Sequence, residues 1–415
     1  MLTRFCLFGF LKNQRYHDPF IVLAFMEQGW SFFEIGALIA TRELAQNIME
    51  IPSGVLADHW GRRRVMMISA GGAALSFLTL GLGGSLGVMF LAMAMLGAAE
   101  AFRTGTHKAM IFSWLRSLGR EEERTKIYGQ TRSWSKLGSA LSVLIAAALV
   151  FSSGGYQQIF LLSAVPSALN VINFLGYPAE LDERGSGERP SLKSRLVQLG
   201  ETLKRPTLRA LILESMAFEG SYKAAKDYLQ PLLLQVATVG ALAGLFVVGD
   251  AQLGDTQRVA LVSAPVFLTL HLVSAVASKR AHLLTKRWGE ARASWGIWAG
   301  LALVSLGLLG GLSWGLTALS VSLFVLMAVL QNLWRPIVIS RFDTHGAAEH
   351  GAAVLSVESQ AKGLATLILA PGLGWLVDTF SVHDPALWPV AAVCLAISLV
   401  ALISTGRRRR SWISP

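Results

Sequence analysis

The chain has 415 residues, of which 53% are hydrophobic and 15% are charged, and its mean hydropathy is +0.49. This composition excludes an ordinary set of soluble domains, because the apolar residues stand in long blocks from one end to the other. A net charge of +11 would suggest nucleic-acid binding in a soluble protein, but the basic residues here follow the sided distribution of membrane proteins, so no nucleic-acid partner is expected.

Apolar blocks of about 20 residues, the length that crosses the hydrocarbon core of a bilayer, recur along the whole chain. They predict an all-α membrane protein with twelve transmembrane helices, at residues 5–28, 32–57, 65–86, 88–115, 126–151, 157–178, 207–236, 259–278, 293–313, 315–340, 352–376 and 386–405. No secretory signal peptide is expected, because Lys12 interrupts the first apolar run and no small-residue cleavage site follows it.

A polar stretch at 179–206 separates the sixth predicted span from the seventh. It is the predicted cytoplasmic linker between two six-helix bundles, residues 1–178 and residues 207–415, and the second of these ends in a basic tail. Part of the linker, 191–204, is compatible with an amphipathic helix at the membrane surface.

Lysine and arginine are unequally divided between the two sides of the predicted helices. If both termini are cytoplasmic, the inner segments carry 25 basic residues and the outer segments carry one, Arg258. The positive-inside rule therefore predicts cytoplasmic N and C termini in a multi-pass protein of the cell membrane. The two cysteines, Cys6 and Cys394, imply neither a disulfide framework nor a metal site.

Leaving aside the three residues at each end of every predicted span, nineteen charged side chains fall inside the spans, eleven basic and eight acidic. Each would cost about 2.5–3.5 kcal/mol if it faced lipid, so most are expected to face one another or a water-filled cavity. The third, sixth, ninth and twelfth spans contain none of them, and the eighth has only His271. The repeat of three predicts four three-helix units.

Most of these charges, with two histidines, form the candidate lining of a substrate or proton pathway. The candidates are Lys12, Arg15, His17, Asp18, Glu43, Glu50, Glu100, Arg103, His107, Lys108, Arg132, Lys136, Glu219, Lys223, Lys226, Asp227, Arg335, Glu358 and Lys362. The buried carboxylates and the two histidines among them are candidate proton carriers.

The excess of bases over acids favours a substrate with an anionic group, since unpaired bases in the first half would attract it. The competing interpretation is that acids neutralise most of the bases and that the charges hold helices in register. Pairs at four-residue spacing, Glu219 with Lys223 and Glu358 with Lys362, fit that structural role equally well.

After the second predicted span, residues 54–64 read GVLADHWGRRR. This resembles the loop signature G-x-L-x-D-x-x-G-[RK]-[RK] of the major facilitator superfamily, in the position between spans 2 and 3 that the family gives it. With the twelve spans, the central linker and the three-helix repeat, the resemblance covers essentially the whole chain. It implies that Gly54, Asp58, Gly61, Arg62 and Arg63 form a gating motif, which is made and broken as the two halves rock.

The resemblance implies a secondary active transporter that moves a small organic solute by alternating access, with protons as the expected coupling ion. A multidrug/proton antiporter is an alternative, although the fifth span lacks the G-P-x-x-G-G element of drug antiporters and has Gly138, Ser139 and Ala140 instead. A non-transporting receptor or scaffold on the same fold is another.

Enzymatic activity is not expected. The chain contains no G-x-x-x-x-G-K-[ST] phosphate loop and no His/Cys spacing typical of metal ligands, so an ATP-driven pump, a cofactor and a metal are not predicted. The predicted partners are a small-molecule substrate, protons and the lipid bilayer, and the chain is expected to act as a monomer.

Overall fold

The computed structural model is built almost entirely from helices. It describes residues 1–104, 106–178, 181, 204–238, 247–248, 251–345, 351–382 and 385–411. Most of the predicted linker 179–206, including the possible amphipathic helix at 191–204, lies outside the described residues.

The first part of the chain folds into a series of helices that match the first six predicted spans. They are α1 (Leu2–Lys12), α2 (Ile21–Glu27), α3 (Phe32–Trp60), α4 (Arg62–Leu82), α5 (Leu86–Arg103), α6 (Thr106–Ser117), the 3-10 turn Glu121–Glu123, α7 (Arg124–Ser153) and α8 (Gln157–Leu175). The first and fourth spans are each divided into two helices.

The second part continues in the same way. Its helices are α9 (Pro206–Ala225), the 3-10 turn Lys226–Tyr228, α10 (Leu229–Thr238), α11 (Asp255–Trp288), α12 (Glu290–Ser313), α13 (Thr317–His345), α14 (Gly351–Phe380) and α15 (Trp388–Ser411). Between α10 and α11, Val247–Val248 pairs antiparallel with Ala251–Gln252. The seventh span is the divided one here.

Among the described residues, nine helices are long and apolar enough to cross a membrane. The first predicted span is divided into two short helices, the seventh is divided at residues 226–228, and the second, α3, contains five charged residues. The count of twelve spans and the cytoplasmic position of both termini therefore stay predictions.

Contacts divide the chain into two compact units. The first consists of Met1–Ala24 and Thr41–Lys193, and the second of Phe25–Ala40 and Ser194–Pro415. The first turns of α3 thus cluster with the second unit and the rest of that helix with the first.

Two close approaches between backbones bring polar helices of the first unit together. A Cβ atom at Gly138 of α7 would lie 2.5 Å from the carbonyl oxygen of Phe10 in α1, and one at Gly97 of α5 would overlap the carbonyl group of Arg42 in α3. Only a residue without a side chain allows helices to approach this closely. These contacts hold α1 against α7 and α3 against α5.

Most residues of the sequence motif at 54–64, which was expected to be a loop, belong to helices. Residues 54–60 form the end of α3, and α4 begins at Arg62. The turn between the two helices is a single residue, Gly61, whose φ of +94° lies in the region that favours glycine. The loop expected between spans 2 and 3 is shorter than the motif suggested, because a glycine at positive φ reverses the chain within one residue.

Candidate functional site

The charged centre of the first unit is the carboxylate of Glu100 on α5. Three guanidinium groups surround it: Arg15 Nη2 lies 2.5 Å from Oε1, Arg42 Nε lies 3.5 Å from Oε2, and Arg103 Nη2 lies 3.7 Å from Oε1. The Glu100 residue is 7% exposed. A carboxylate so enclosed is tolerated because cations neutralise it on several sides.

Two of the three arginines around Glu100 lie where a predicted span is interrupted. Helix α1 ends at Lys12 and the chain stays irregular until α2, so Arg15 projects from non-helical backbone. Pro19 in this segment lacks an N–H and disfavours helical backbone in the residue before it. Helix α5 ends at Arg103, and α6 begins at Thr106. Irregular backbone within a predicted span is typical of helices that border a cavity.

A histidine–aspartate pair lies beside this centre. His17 is 2% exposed, and its Nε2 lies 3.3 Å from Asp18 Oδ1, while its Nδ1 lies 3.4 Å from Ser163 Oγ on α8. The Asp18 side chain is 48% exposed and also contacts Arg15 Nη1 at 3.3 Å. Asp18 is therefore the acidic group of this cluster that solvent reaches most readily.

The second unit contains a comparable centre around Glu358 on α14, which is 1% exposed. Arg335 of α13 donates two hydrogen bonds to its carboxylate, at 2.6 and 3.2 Å. Lys362, one turn further along α14, lies 3.2 Å from Oε2, and Ser215 of α9 donates a further hydrogen bond. Glu219 of α9 is held at the edge of the cluster, 3.9 Å from Arg335. The predicted pair of Glu358 with Lys362 is thus present.

The amide of Gln331 on α13 completes this arrangement by donating to both oxygens of Glu219, at 3.1 and 3.2 Å. Lys226 and Asp227, also predicted site residues, form an ion pair of 2.6 Å within the 3-10 turn that divides the seventh span. The first helix of each predicted half is therefore interrupted, and each interruption contains charged residues.

A second buried network in this unit is built around Glu214 of α9. Its Oε1 accepts hydrogen bonds from Arg341 at 2.8 Å, from Ser294 at 2.7 Å and from Trp298 at 3.4 Å. Trp334 donates to Ser294 at 3.2 Å. Helices α9, α12 and α13 are thereby connected by hydrogen bonds.

Glu43, His107 and Lys108 are predicted residues of the first unit that have other neighbours. Glu43 is 2% exposed and contacts Arg42 at 3.5 Å. His107 packs against Phe8, with ring centroids 4.0 Å apart. Lys108 is exposed and lies over the rings of Phe112 and Tyr128, 5.5 Å from each centroid. Lys108 is therefore not brought into the charged centre.

Arg132 and Lys136 are both exposed, one turn apart on α7. Neither takes part in an ion pair within 4 Å to another described residue. Glu50 and Lys223 are partly exposed on α3 and α9. Their position in a pathway stays a prediction.

In the gating motif, the Asp58 side chain lies outside the described part of the structure. Arg63 donates to the carbonyl oxygens of Phe174 and Leu175, at 3.0 and 2.7 Å, at the end of α8. Gly54 lies within α3 and Arg62 starts α4.

Several residues that complete these clusters were not among the predicted site residues. They are Gln14, Arg42, Asn170, Ser215 and Gln331. Arg42 carried a detectable signal, because it is a charge inside a span next to Glu43. The others are uncharged, and polar residues of that kind also occur in helices without any functional role.

No group of three or more His, Cys, Asp or Glu side chains that could hold a metal ion is found among the residues that the structure describes. Cys6 and Cys394 are both buried free thiols.

Comparison with known proteins agrees with this architecture. The sequence model of the Major Facilitator Superfamily matches residues 5–365. No curated protein sequence matches the chain.

Among solved structures, the nucleoside transporter NupG superposes with a TM-score of 0.75 at 14% identity, covering 100% of this chain and 97% of that one. A point mutant of the same transporter gives the same TM-score and identity over 98% and 97% of the two chains. A POT family transporter in complex with 5-aminolevulinic acid superposes with a TM-score of 0.70 at 13% identity, covering 98% and 96%. At such identities the likeness concerns the fold.

Proposed function

We propose that this chain, which belongs to the Major Facilitator Superfamily, is a secondary active transporter that moves a small organic solute by alternating access and couples this to protons. The family membership and the apolar helices make it a multi-pass membrane protein. We place it in the cell membrane, as a monomer with both termini in the cytoplasm, on the sided distribution of its basic residues.

One observation carries the proposal: each unit holds a carboxylate enclosed by cations at the level of the predicted spans. In the first unit it is Glu100 with three arginines, and in the second it is Glu358 with Arg335 and Lys362. Ionised groups at membrane depth are costly and mark substrate or ion pathways. Interrupted helices in matching positions of two repeats point to the same place.

For proton coupling, Asp18 is the strongest candidate. Glu100 and Glu358 are each held by more than one cation, whereas Asp18 is half-exposed and contacts the buried His17. A carboxylate that solvent reaches can exchange a proton, and its neighbours Arg15 and His17 would sense the change of charge. The ion pair of Arg15 with Asp18 and Glu100 would then depend on the protonation of Asp18.

The nature of the solute is proposed from charge. Cations outnumber acids around Glu100, which favours a solute with an anionic group. The nucleoside transporter NupG and the POT family transporter in complex with 5-aminolevulinic acid are similar to this chain in fold, so nucleosides and amino acids join organic anions as candidate solutes. Both uptake and export are compatible with this arrangement.

The test is solute flux in proteoliposomes with an imposed pH gradient, across organic anions, amino acids, nucleosides and cationic drugs. We expect flux of one class that collapses with a protonophore. Asp18→Asn should lose gradient-driven accumulation, while Asp255→Asn, at an acid that is 69% exposed, should not. Folded protein that moves no solute under any gradient would support a receptor or scaffold and overturn the proposal.

A further inference from the structure

A small polar cavity lies inside the first unit, between α1, α4, α5 and α8. Its volume is about 50 Å³. Besides two serines, its polar lining consists of Lys12, Gln14, Arg15, Glu100, Arg103 and Asn170. A water-sized group needs about 10–15 Å³ on this measure, so the cavity has room for about four such groups. This space fits the head group of a solute rather than a whole molecule.

Two cations at this cavity are weakly neutralised by the protein. Lys12 forms no ion pair within 4 Å with any other described residue, and the ring of Phe8 lies 5.9 Å from its ammonium group. Arg103 reaches Glu100 only at 3.7 Å, because Arg15 occupies the same carboxylate oxygen at 2.5 Å. Partly buried cations without close anions are unfavourable, and an anionic group between them would offset that cost.

The ends of two helices help to hold the two cations at this cavity. Lys12 is the last residue of α1 and Arg103 the last residue of α5. Cations are favourable at helix C-termini, so both side chains are held where the two helices are interrupted. Each can therefore reach into the cavity while its backbone remains anchored.

The cavity also contains acceptors without donors. Gln14 Oε1 and Asn170 Oδ1 are buried and have no hydrogen-bond partner among the described residues, and the two residues are 5% and 3% exposed. Buried acceptors without a donor are rare and costly. A ligand group that carries an N–H or O–H would satisfy them, in the same cavity as the two cations.

We propose that this cavity binds the head group of a small carboxylate with a hydroxyl or amino group on the neighbouring carbon. The carboxylate contacts Lys12 and Arg103, and the hydroxyl or amino group donates to Asn170 or Gln14. The carboxylate, the neighbouring carbon and its substituent amount to five heavy atoms, close to the size of the cavity. The inference rests on the proposed transport function and gives its substrate class.

The test uses purified protein in detergent and follows thermal unfolding by the fluorescence of its 12 tryptophans. Four probes are compared at constant ionic strength in chloride: lactate, propionate, lactamide and inorganic phosphate. Propionate lacks the hydroxyl group of lactate, and lactamide lacks its charge. We expect stabilisation by lactate, less by propionate and none by lactamide.

Variants assign the binding to the cavity. Lys12→Met and Arg103→Gln should each weaken lactate binding by roughly tenfold or more, since each removes a charge-assisted hydrogen bond. Lys12→Arg should retain binding. Lys279→Met, at an exposed lysine of α11, is the control and should match the wild type. Asn170→Leu should bind propionate normally but lose the preference for lactate.

Three results would overturn the inference: no stabilisation of the wild type by either carboxylate, equal stabilisation by lactamide, or stabilisation by phosphate alone. Unchanged lactate binding in both Lys12→Met and Arg103→Gln would do the same. Gradient-driven flux in proteoliposomes is measured separately. Flux without carboxylate binding would contradict this inference but not the transport function. Carboxylate binding without flux of any solute would contradict the transport function but not the binding site.

Discussion

Arg335 and Glu358 form a two-pronged salt bridge between α13 and α14, with Nη1–Oε1 at 2.6 Å and Nη2–Oε2 at 3.2 Å. The carboxylate is buried, whereas the arginine side chain is 29% exposed. Lys362 and Ser215 occupy the remaining positions around the same carboxylate. Arg335 and Lys362 thus converge on one carboxylate. Its removal would leave Arg335 with Glu219 at 3.9 Å and Lys362 with no ion pair within 4 Å to another described residue.

The first prediction follows from that convergence. Glu358→Gln should destabilise the protein by about 3 kcal/mol, because removing one partner of a buried pair leaves uncompensated charge. The double variant Arg335→Gln/Glu358→Gln should recover part of this loss. The measurement is the apparent melting temperature in detergent, together with flux in proteoliposomes, and we expect flux to stay lost in the double variant.

Glu123→Gln serves as the control for this prediction. Arg120 donates a hydrogen bond that lowers the pKa of the Glu123 carboxyl, but this pair is exposed to solvent and lies outside the predicted spans. Exposed pairs contribute little to stability. We expect no measurable change of melting temperature, and equal effects of the two single variants would show that the Glu358 cluster is not the buried network described.

The second prediction concerns the approach of α5 to α3. A methyl group at Gly97 would overlap the carbonyl group of Arg42, so Gly97→Ala should push the two helices apart. We expect a loss of about 1–3 kcal/mol, the usual effect of overpacking. Flux should fall as well, because Arg42 would move away from Glu100. Melting temperature and flux are the measurements.

Gly87, on the same helix, gives the matched control. Its nearest neighbour to a new Cβ atom is Ser85 Oγ at 3.9 Å, so an alanine fits. Gly87→Ala should leave stability unchanged or raise it slightly, since alanine is the better helix former. If Gly97→Ala were as harmless as Gly87→Ala, the close helix contact would be disproved.

Much of this architecture could be predicted from the sequence, because membrane spans need long apolar blocks and charges within them are conspicuous. The family was predicted correctly from residues 54–64, the spans and the linker. The excess of bases over acids in the predicted spans was visible in the sequence, but the grouping of three arginines around Glu100 was not. Helical spacing indicated Glu358 with Lys362 but not Arg335, which approaches from another helix.

The partner of Arg341 could not be predicted from the sequence. Its position at a predicted helix end places it among the cytoplasmic charges, yet its side chain is 16% exposed and bound to Glu214. Hydropathy reports how far a residue lies from the middle of a span, but not which helix packs beside it. Pro19 indicates the interruption after Lys12, whereas the interruption after Arg103 has no nearby proline to mark it.

A third prediction comes from Asp378, which no sequence signal marked. Its carboxylate accepts hydrogen bonds from the backbone N–H groups of Phe32 and Phe33, at 3.0 and 2.7 Å, at the start of α3. These donors have no partner within the helix, and a negative charge is favourable at a helix N-terminus. Asp378→Ala should therefore lower stability by about 1 kcal/mol, measured by thermal unfolding.

The control for Asp378 is Asp255, which lies in the first turn of α11 with a side chain that is 69% exposed. Asp255→Ala should have the smaller effect, because solvent already hydrates most of its carboxylate. Equal melting temperatures of the Asp378→Ala variant and the wild type would argue against the cap.

The last prediction tests the orientation, which depends on the sided distribution of lysine and arginine. If both termini are cytoplasmic, Leu118 after α6 lies inside the cell and Val382 after α14 lies outside; both side chains are exposed. We expect Val382→Cys to react with a membrane-impermeant maleimide in intact cells, and Leu118→Cys to react only after permeabilisation. Modification is measured by mass shift on a gel.

The background for this experiment is favourable, because Cys6 and Cys394 are both buried and can be replaced by alanine. Each new cysteine has its own internal control in permeabilised cells, where both should react. The reverse pattern would invert the topology and contradict the positive-inside distribution. Labelling of both positions in intact cells would mean that they lie on the same side of the membrane. An even number of spans would then separate them, and the count of twelve would be wrong.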